Sequence, residues 1–435
     1  MVKNKIKQLL AESIQQNRRK LQDWHHAHVR NAPPPFYCSV DIRDSGHKIV
    51  PVDSNLFPAG FNNICPEDHR TAPPLFRAQL ESSVAAVAGQ PVEIRKVLLL
   101  PEPHTTNSNY IENLYYLSQM ILNAGYEVRV GWFGPLPESL ENETVLRLKS
   151  ATDKVVEAWP IRIGDGGEVT AGDFRPDAIL LNNDFSGGYP EALDQVRQPI
   201  VPSHRLGWHS RKKSEHFLYY NELAGEFAAL IGVDPWHIQV DTREVAAVDF
   251  SEGKGIEEVA VVAGDMLSQM HQDYERHKIS RKPFVFIKNN AGTYGMGIMT
   301  AHSVEEIRNM NRRTKNKMSI GKNKKHIDSV VVQEGIPTAT LVDRLAAEPV
   351  IYLLGSELIG GFLRTNTERG DEENLNSTGM VFRKLCMSDL RKLDDPDADD
   401  EPSLLKDLPM MELLYGSIAQ ISALAAGREF KAHST

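Results

Sequence analysis

Apolar and polar positions along the chain follow two rhythms. In residues 1–30, Ile6, Leu9, Leu10, Ile14 and Leu21 recur at helical spacing, which predicts an amphipathic helix closed by Pro33, Pro34 and Pro35. From Arg95 onward, short apolar runs alternate with helical stretches. KVLLLPEP (96–103), YEVRVGWF (126–133) and DAILLNND (177–184) read as buried strands. Between the first two, IENLYYLSQMILNAG (111–125) reads as a helix ended by Gly125. This order predicts a mostly parallel sheet, in which ligands gather beyond the carboxyl ends of strands. Further helices are expected in the second half of 203–232, over 256–274, over 303–318, over TLVDRLAAE (340–348) and over 410–428. Further strands are expected at 284–287, at 298–299, at 329–337 and, as a pair around Gly355–Ser356, over 349–366.

Polar residues cluster at several breaks in this pattern. The first strand runs into Glu102, His104, Thr106 and Asn107, and the third into Asn182, Asn183 and Asp184. Capping of the next turn accounts for one or two of these residues, not for both clusters. The segment 39–63, SVDIRDSGHKIVPVDSNLFPAGFNN, sets Asp41, Arg43, Lys48, Asp53, Asn55 and Asn62 among short apolar residues. Its glycines and prolines imply loops, and its density of polar groups reads as a ligand pocket. Residues 203–216 gather Arg205, His209, Arg211, Lys212, Lys213 and His216. Without an acidic partner or tight histidine spacing, they suit a carboxylate or phosphate better than a metal.

Composition narrows the class. The 435 residues suggest two or three domains, and 41% hydrophobic with 25% charged residues permits a large core. A net charge of -9 argues against broad nucleic-acid binding, which needs a basic face. The basic run Arg312, Arg313, Lys315, Lys317, Lys322, Lys324 and Lys325 therefore reads as a solvated or phosphate-facing loop. The acidic DDPDADDE (394–401) reads as an exposed loop. No apolar run approaches the roughly 20 residues that cross a bilayer, and the first residues lack a signal core. Cys38, Cys65 and Cys386 are too few and too scattered for a disulfide framework or a zinc site, which predicts a reducing, cytoplasmic setting.

The stretch with the sharpest chemistry is PFVFIKNNAGTYGMGIMT (283–300). An apolar strand ends at Lys288, a loop follows with Gly292, Gly295 and Gly297, and apolar character returns at Ile298 and Met299. Glycines let a backbone approach phosphates and aim N–H groups at them, and the lysine adds a point charge. No GK[ST] follows and the GxGxxG order is absent, so neither a P-loop nor a dinucleotide fingerprint is present. An ordinary glycine-rich hairpin fits the same letters.

The order of these parts resembles the ATP-grasp fold: Lys288 before a glycine loop, VVQEGI (331–336), a hairpin ending in Arg364, then an asparagine-rich loop. Longer blocks are similar to the proteobacterial ATP-grasp type of glutamate–cysteine ligase. They are the 39–63 segment, LLPEPHTTNSNYIENL, LLNNDFSGGYP, GWHSRKKSEHF and FIKNNAGTYGMGIM. The resemblance implies α/β and α+β architecture, with a mostly parallel pre-ATP-grasp domain followed by a two-lobed ATP-grasp fold. It divides the chain into 1–90 with the polar substrate loop, 91–205 as the α/β domain and 206–435 as the ATP-grasp lobes.

The activity implied is phosphorylation of the glutamate γ-carboxylate by ATP with Mg²⁺, then attack by the cysteine amine to give γ-glutamylcysteine, the first step of glutathione formation. By the same resemblance Lys288 meets the ATP phosphates, and Gly292, Thr293, Tyr294, Gly295 and Gly297 cover them. Gln333, Glu334 and Ile336 carry adenine and ribose, and Arg364 steadies the transferred phosphoryl group. Glu373, Asn374 and Asn376 are the expected Mg²⁺ ligands. The family's Glu-x-Asn unit survives only as EENLN, so Glu348 or Asp371 are alternatives. Glutamate's charged ends are expected against Arg43, Lys48, Arg211 and Asn182–Asp184. Asp53, Asn55, Asn62, Glu102, His104, Thr106 and Asn107 complete the substrate set. The partners expected are small molecules (glutamate, cysteine and ATP), with no nucleic acid and no membrane; the apolar terminal helices offer a homo-oligomer contact. Two alternatives stay open: an ATP-grasp amino-acid or peptide ligase with another acceptor, and a nucleotide-binding protein without turnover.

Overall fold

A computed structural model of the chain describes residues 2–103, 106–134, 144–292, 297–320, 326–386 and 408–434. In chain order, helices α1 (Val2–Gln16) and α2 (Arg18–Asn31) precede strands β1 (Tyr37–Asp44) and β2 (Ile49–Asn55). Then come α3 (Pro66–Ala88), β3 (Lys96–Pro101), α4 (Ser108–Asn123), β4 (Glu127–Trp132), β5 (Leu146–Lys149), β6 (Val155–Ile163), β7 (Val169–Ala171), β8 (Ala178–Asn182) and β9 (Ile200–Val201). The rest of the chain forms α5 (Lys213–Ile231), β10 (Thr242–Ala246), α6 (Ile256–Arg276), β11 (Val285–Asn289), β12 (Ile298–Ala301), α7 (Val304–Arg308), α8 (Arg312–Ser319), β13 (Ser329–Glu334), β14 (Leu341–Val342), β15 (Leu345–Leu354), β16 (Glu357–Asn366), β17 (Met380–Leu385) and a long helix, α9 (Leu408–Ser434).

The expected parallel sheet is present. Its order is β5-β6-β4-β3-β8-β9, with β3, β4, β6, β8 and β9 paired in parallel and β5 and β7 antiparallel on β6. Helices α3 and α4 cover one face through Phe76, Leu80, Leu114 and Leu117. The strands on either side of the glycine loop, β11 and β12, lie in a second, antiparallel sheet, β10-β13-β11-β12, backed by Val259, Ala263, Met266 and Met270 of α6.

The third sheet, β17-β16-β15-β1-β2, joins the two ends of the chain, since β1 pairs antiparallel with β15. One of its faces packs Cys38, Val40, Ile42 and Ile351 against α5 and α9. The opposite face changes character along its strands. Tyr37, Val350, Tyr352 and Phe362 lie in the apolar core against α3, whereas Asp41, Arg43, Glu348 and Arg364 line a cleft. That change marks where the sheet leaves the core.

Several expectations are corrected. The segment 39–63 begins as a buried β-hairpin, not a loop. Residues 340–348 are not helical: Asp343 and Arg344 at φ 51° and 67° form the turn between β14 and β15. Two adjacent left-handed residues are the signature of a tight hairpin turn. The helices expected over 1–30 and 303–318 are each broken in two. Cys65 and Cys386 form a disulfide across 321 residues, because α3 packs on β16, next to the end of β17. Cys38 is buried and free. No helix among the described residues is long and apolar enough to cross a membrane. Lys322, Lys324, Lys325 and the acidic 394–401 lie outside the described residues.

Candidate active site

The cleft lies between the charged end of the third sheet and the small antiparallel sheet, and spans about 540 Å³, part of it open solvent. Strand alternation supplies its walls. On β11, Val285 and Ile287 enter the small sheet's core, while Phe286 and Lys288 face the cleft. On β15 and β16, Glu348 and Arg364 are directly paired across the ladder. Strand β2 carries one extra residue: Asp53 faces Asp41 and Pro51 faces Ile42, leaving Val52 between them. A proline beside a bulge fits, because a bulge tolerates a missing ladder donor.

Lys288 is buried, and its Nζ donates to the Val52 carbonyl (3.1 Å) and to Gln333 Oε1 (2.7 Å). Burial lowers its pKa to about 7; Asp53 opposes the shift, while Lys213 and Arg43 reinforce it. Arg364 donates from Nη1 to Asp41 Oδ2 at 2.7 Å and to Glu348 Oε2 at 3.4 Å. Its Nε is buried without a hydrogen-bond partner. An unsatisfied buried guanidinium N–H is costly, so an incoming anion would gain by meeting it. Lys213, the first residue of α5, pairs with Asp53 on β2, and both line the cleft.

Of the residues singled out in the sequence for a role, the fold brings Lys288, Arg364, Arg43, Asp53, Gly292, Glu348, Asn374 and Asn376 together at this cleft, and leaves Glu373 and Asp371 out of its lining. Arg43 acts as a brace. Its Nε donates to Glu348 Oε1 (2.5 Å), Nη1 to the carbonyls of Ile336 (2.9 Å) and Asp371 (3.4 Å), and Nη2 to the carbonyl of Glu373 (2.5 Å). One arginine thus ties β1, β15 and the asparagine loop, leaving few donors for a substrate. Glu373 turns its own side chain to Arg369 (2.8 Å), and Asp371 pairs with Arg281 (2.7 Å).

Other residues are used elsewhere. Lys48 and Glu334 form a buried pair (2.6 Å), so neither offers a free charge. Gln333 orients Lys288, and Ile336 is buried core. Gly297 opens the return strand at φ +62°, where a Cβ would strike Ile327. Arg211 is buried against Glu429 (2.6 Å), His216 and the Ser54 carbonyl. Asn182 bonds Tyr37, Tyr110, Asn113 and the Pro58 carbonyl, holding the strand ends of the parallel sheet to the loop at 56–61. Asn107 caps α4, Asn183 and Asp184 accept turn hydrogen bonds, and Asn62 bonds Asn63. These residues, with Asn55, Glu102 and Thr106, are not in the lining of the cleft. His104, Thr293, Tyr294 and Gly295 lie outside the described residues. Sequence reasoning placed Asp41 and Lys213 in polar clusters without giving either a role, and it passed over Phe286 and Asn289; all four line the cleft. The i, i+2 spacing of Asp41 with Arg43 and of Phe286 with Lys288 was the available signal.

Comparison with known proteins bears on this geometry. A family model for glutamate-cysteine ligase (GshA) matches residues 11–430. The chain belongs to the glutamate–cysteine ligase family. A crystal structure of a protein assigned as a gamma-glutamylcysteine synthetase from Methylobacillus flagellatus KT is 32% identical. The match covers 98% of this chain and 96% of that one, with a TM-score of 0.84. D-alanyl-alanine synthetase A from Vibrio cholerae matches at 11% identity and a TM-score of 0.35, over 76% of this chain and 82% of that one. A comparison with curated proteins found no match. In this glutamate–cysteine ligase family member, then, the charged cleft is the candidate active site.

Among the described residues no three His, Cys, Asp or Glu side chains form a metal cluster. Hard oxygens line the cleft on Asp41, Glu348, Asn374 and Asn376; the carboxylates already accept from Arg364 and Arg43 and Asn374 Oδ1 from the Asn376 N–H, and each carboxylate oxygen keeps a second lone pair for a cation. That donor set fits Mg²⁺, which keeps several waters and takes one or two carboxylates together with substrate phosphates.

Proposed function

We propose that this cleft joins ATP and glutamate in the two-lobed manner of ATP-grasp ligases and passes the activated glutamate to cysteine, giving γ-glutamylcysteine, ADP and phosphate. One observation carries the reading: Lys288 and Arg364, from two different sheets, converge on one cleft beside Gly292. A carboxylate becomes an electrophile only when one of its oxygens is made a leaving group. Moving a phosphoryl group onto it brings anions together, and fixed positive charge offsets their repulsion.

Lys288 would hold the ATP phosphates from the small sheet, with the backbone at Gly292 over them. Arg364 would meet the phosphoryl group in transfer, using the Nε that has no partner in the protein. Mg²⁺, when bound by Glu348, Asn374 and Asn376, would supply further positive charge to the phosphates. The γ-carboxylate oxygen attacks the terminal phosphorus, the bond to ADP breaks, and an acyl phosphate forms. The neutral cysteine amine then attacks the acyl carbon and phosphate departs. No side chain becomes covalently attached; positioning and charge supply the rate. Such chemistry suits a cytoplasmic step of glutathione formation with small-molecule substrates.

The test is oxygen transfer. Glutamate labelled with ¹⁸O in its γ-carboxylate, incubated with ATP, Mg²⁺ and cysteine, should yield γ-glutamylcysteine and one labelled oxygen in each phosphate released. Unlabelled phosphate would reject the acyl phosphate. ADP release with another amine and no dipeptide with cysteine would reject the acceptor.

A further inference from the structure

We infer that Lys213 and Asp53 form the clamp that recognises the two charges on the α-carbon of glutamate, Lys213 taking the α-carboxylate and Asp53 the α-ammonium. The inference rests on the proposed reading of the cleft and adds the substrate subsite to it. Lys288 and Arg364 are engaged by phosphates and the γ-carboxylate, and Asp41 and Glu348 flank Arg364. The Lys213–Asp53 pair also lines the cleft, and the phosphoryl chemistry leaves it without a task. An amino acid's α-carbon carries one cation and one anion. A site presenting one of each gives both an opposite charge in exchange for water, with no net charge buried. In the free protein the two residues neutralise each other, which keeps them charged where each alone would be costly. Burial alone would raise the Asp53 pKa, yet the Lys213 charge and hydrogen bond hold it below the ordinary carboxylate value.

The surroundings fix the pair's position. Trp208 lies under the Lys213 ammonium, 4.4 Å from ring centre to Nζ. Arg211, anchored on Glu429 of α9, donates to the Ser54 carbonyl next to Asp53 (2.6 Å). The Lys213 backbone N–H donates to the Asn290 carbonyl (2.8 Å), and that of Ser214 to Asn290 Oδ1 (3.0 Å). The start of α5 is thereby tied to the strand that enters the glycine loop.

Glutamate, rather than cysteine, is the amino acid that suits such a clamp. The cysteine amine must lose its proton to attack, and a carboxylate holding it as an ammonium would oppose this step. Glutamate's α-ammonium keeps its charge throughout the reaction.

Two analogues separate the roles. 4-Aminobutyrate keeps the distal carboxylate and lacks the α-carboxylate; glutarate lacks the ammonium. Each is assayed for ADP release with ATP, Mg²⁺ and cysteine, and as an inhibitor competing with glutamate. Lys213→Gln should lower kcat/KM for glutamate by about 10²-fold or more while leaving the constants for 4-aminobutyrate within about threefold. Asp53→Asn should do the same for glutamate against glutarate. Because the variants predict opposite analogues, one that folds suffices, and retained binding of an ATP analogue shows that it has folded. Equal losses for glutamate and both analogues in either variant would overturn the clamp and leave these residues a structural or phosphate role. Glutamate-dependent ADP release without γ-glutamylcysteine in the wild-type chain would instead reject the cysteine acceptor, and the ratios of the ADP-release constants would still report on the clamp.

Discussion

Lys288 should take up a proton when ATP binds. Its amine is buried behind Val52 and Gln333, and burial brings its pKa down to about 7. A lysine that meets phosphate must be charged in the complex, where the phosphates restore its ordinary basicity. At pH 8 about nine-tenths of the free protein carries a neutral Lys288, so binding should draw in about 0.9 proton per nucleotide. Affinity should fall about tenfold for each pH unit above 7, or about 1.4 kcal/mol. The assay is calorimetry of a non-hydrolysable ATP analogue with Mg²⁺ at pH 8, in buffers of different ionisation enthalpy. The slope of observed heat against buffer enthalpy counts the protons. Lys288→Arg, which stays charged, should bind with no uptake. A wild-type slope near zero, or an equal slope in Lys288→Arg, would refute the reasoning.

Further outcomes follow from the same contacts. Because the folded pKa of Lys288 lies below the unfolded one, its contribution to stability is least below pH 7 and rises with pH from about 7 toward the ordinary lysine range. Lys288→Met should therefore gain stability over wild type at pH 6 and lose that advantage by pH 9, measured by chemical denaturation. Arg364→Lys should lower kcat by about 10²–10³ with ATP affinity nearly kept, because a lysine cannot reproduce the Nε–H; the readout is kcat beside the Kd of an ATP analogue. Arg43→Met should act on stability, losing about 3 kcal/mol by denaturant titration, since it leaves the buried Glu348 with only its 3.4 Å contact to Arg364. Cys65→Ser should cost about 2–5 kcal/mol in the same titration, and reductant should bring wild type down to the variant.

What the sequence displayed depended on whether a signal was local. Strands β3, β8, β11 and β13 were legible because their buried runs are nearly continuous and bounded by breakers. The β14–β15 turn was not: Asp343 and Arg344 take left-handed backbones without the Asn-Gly letters that announce such turns, and Leu341 and Leu345 mimic a helical stripe. Strands β1 and β2 were hidden for another reason. Both faces are buried, one apolar and one charged, and a charged interior face looks like a surface in sequence. The cleft was half visible. Lys288, Arg364 and the asparagines stand in recognisable surroundings, but whether Lys48, Arg43 or Arg211 is spare depends on Glu334, Glu348 and Glu429. These lie hundreds of residues away, and only the fold supplies them.

The central claim is that one cleft holds the ATP phosphates against glutamate's γ-carboxylate. A crystal structure of the chain with Mg²⁺, a non-hydrolysable ATP analogue and glutamate tests it directly. The account predicts the terminal phosphate between Lys288 Nζ and Arg364, with the γ-carboxylate beside it. A nucleotide bound elsewhere, with both side chains still facing only protein and solvent, would contradict it.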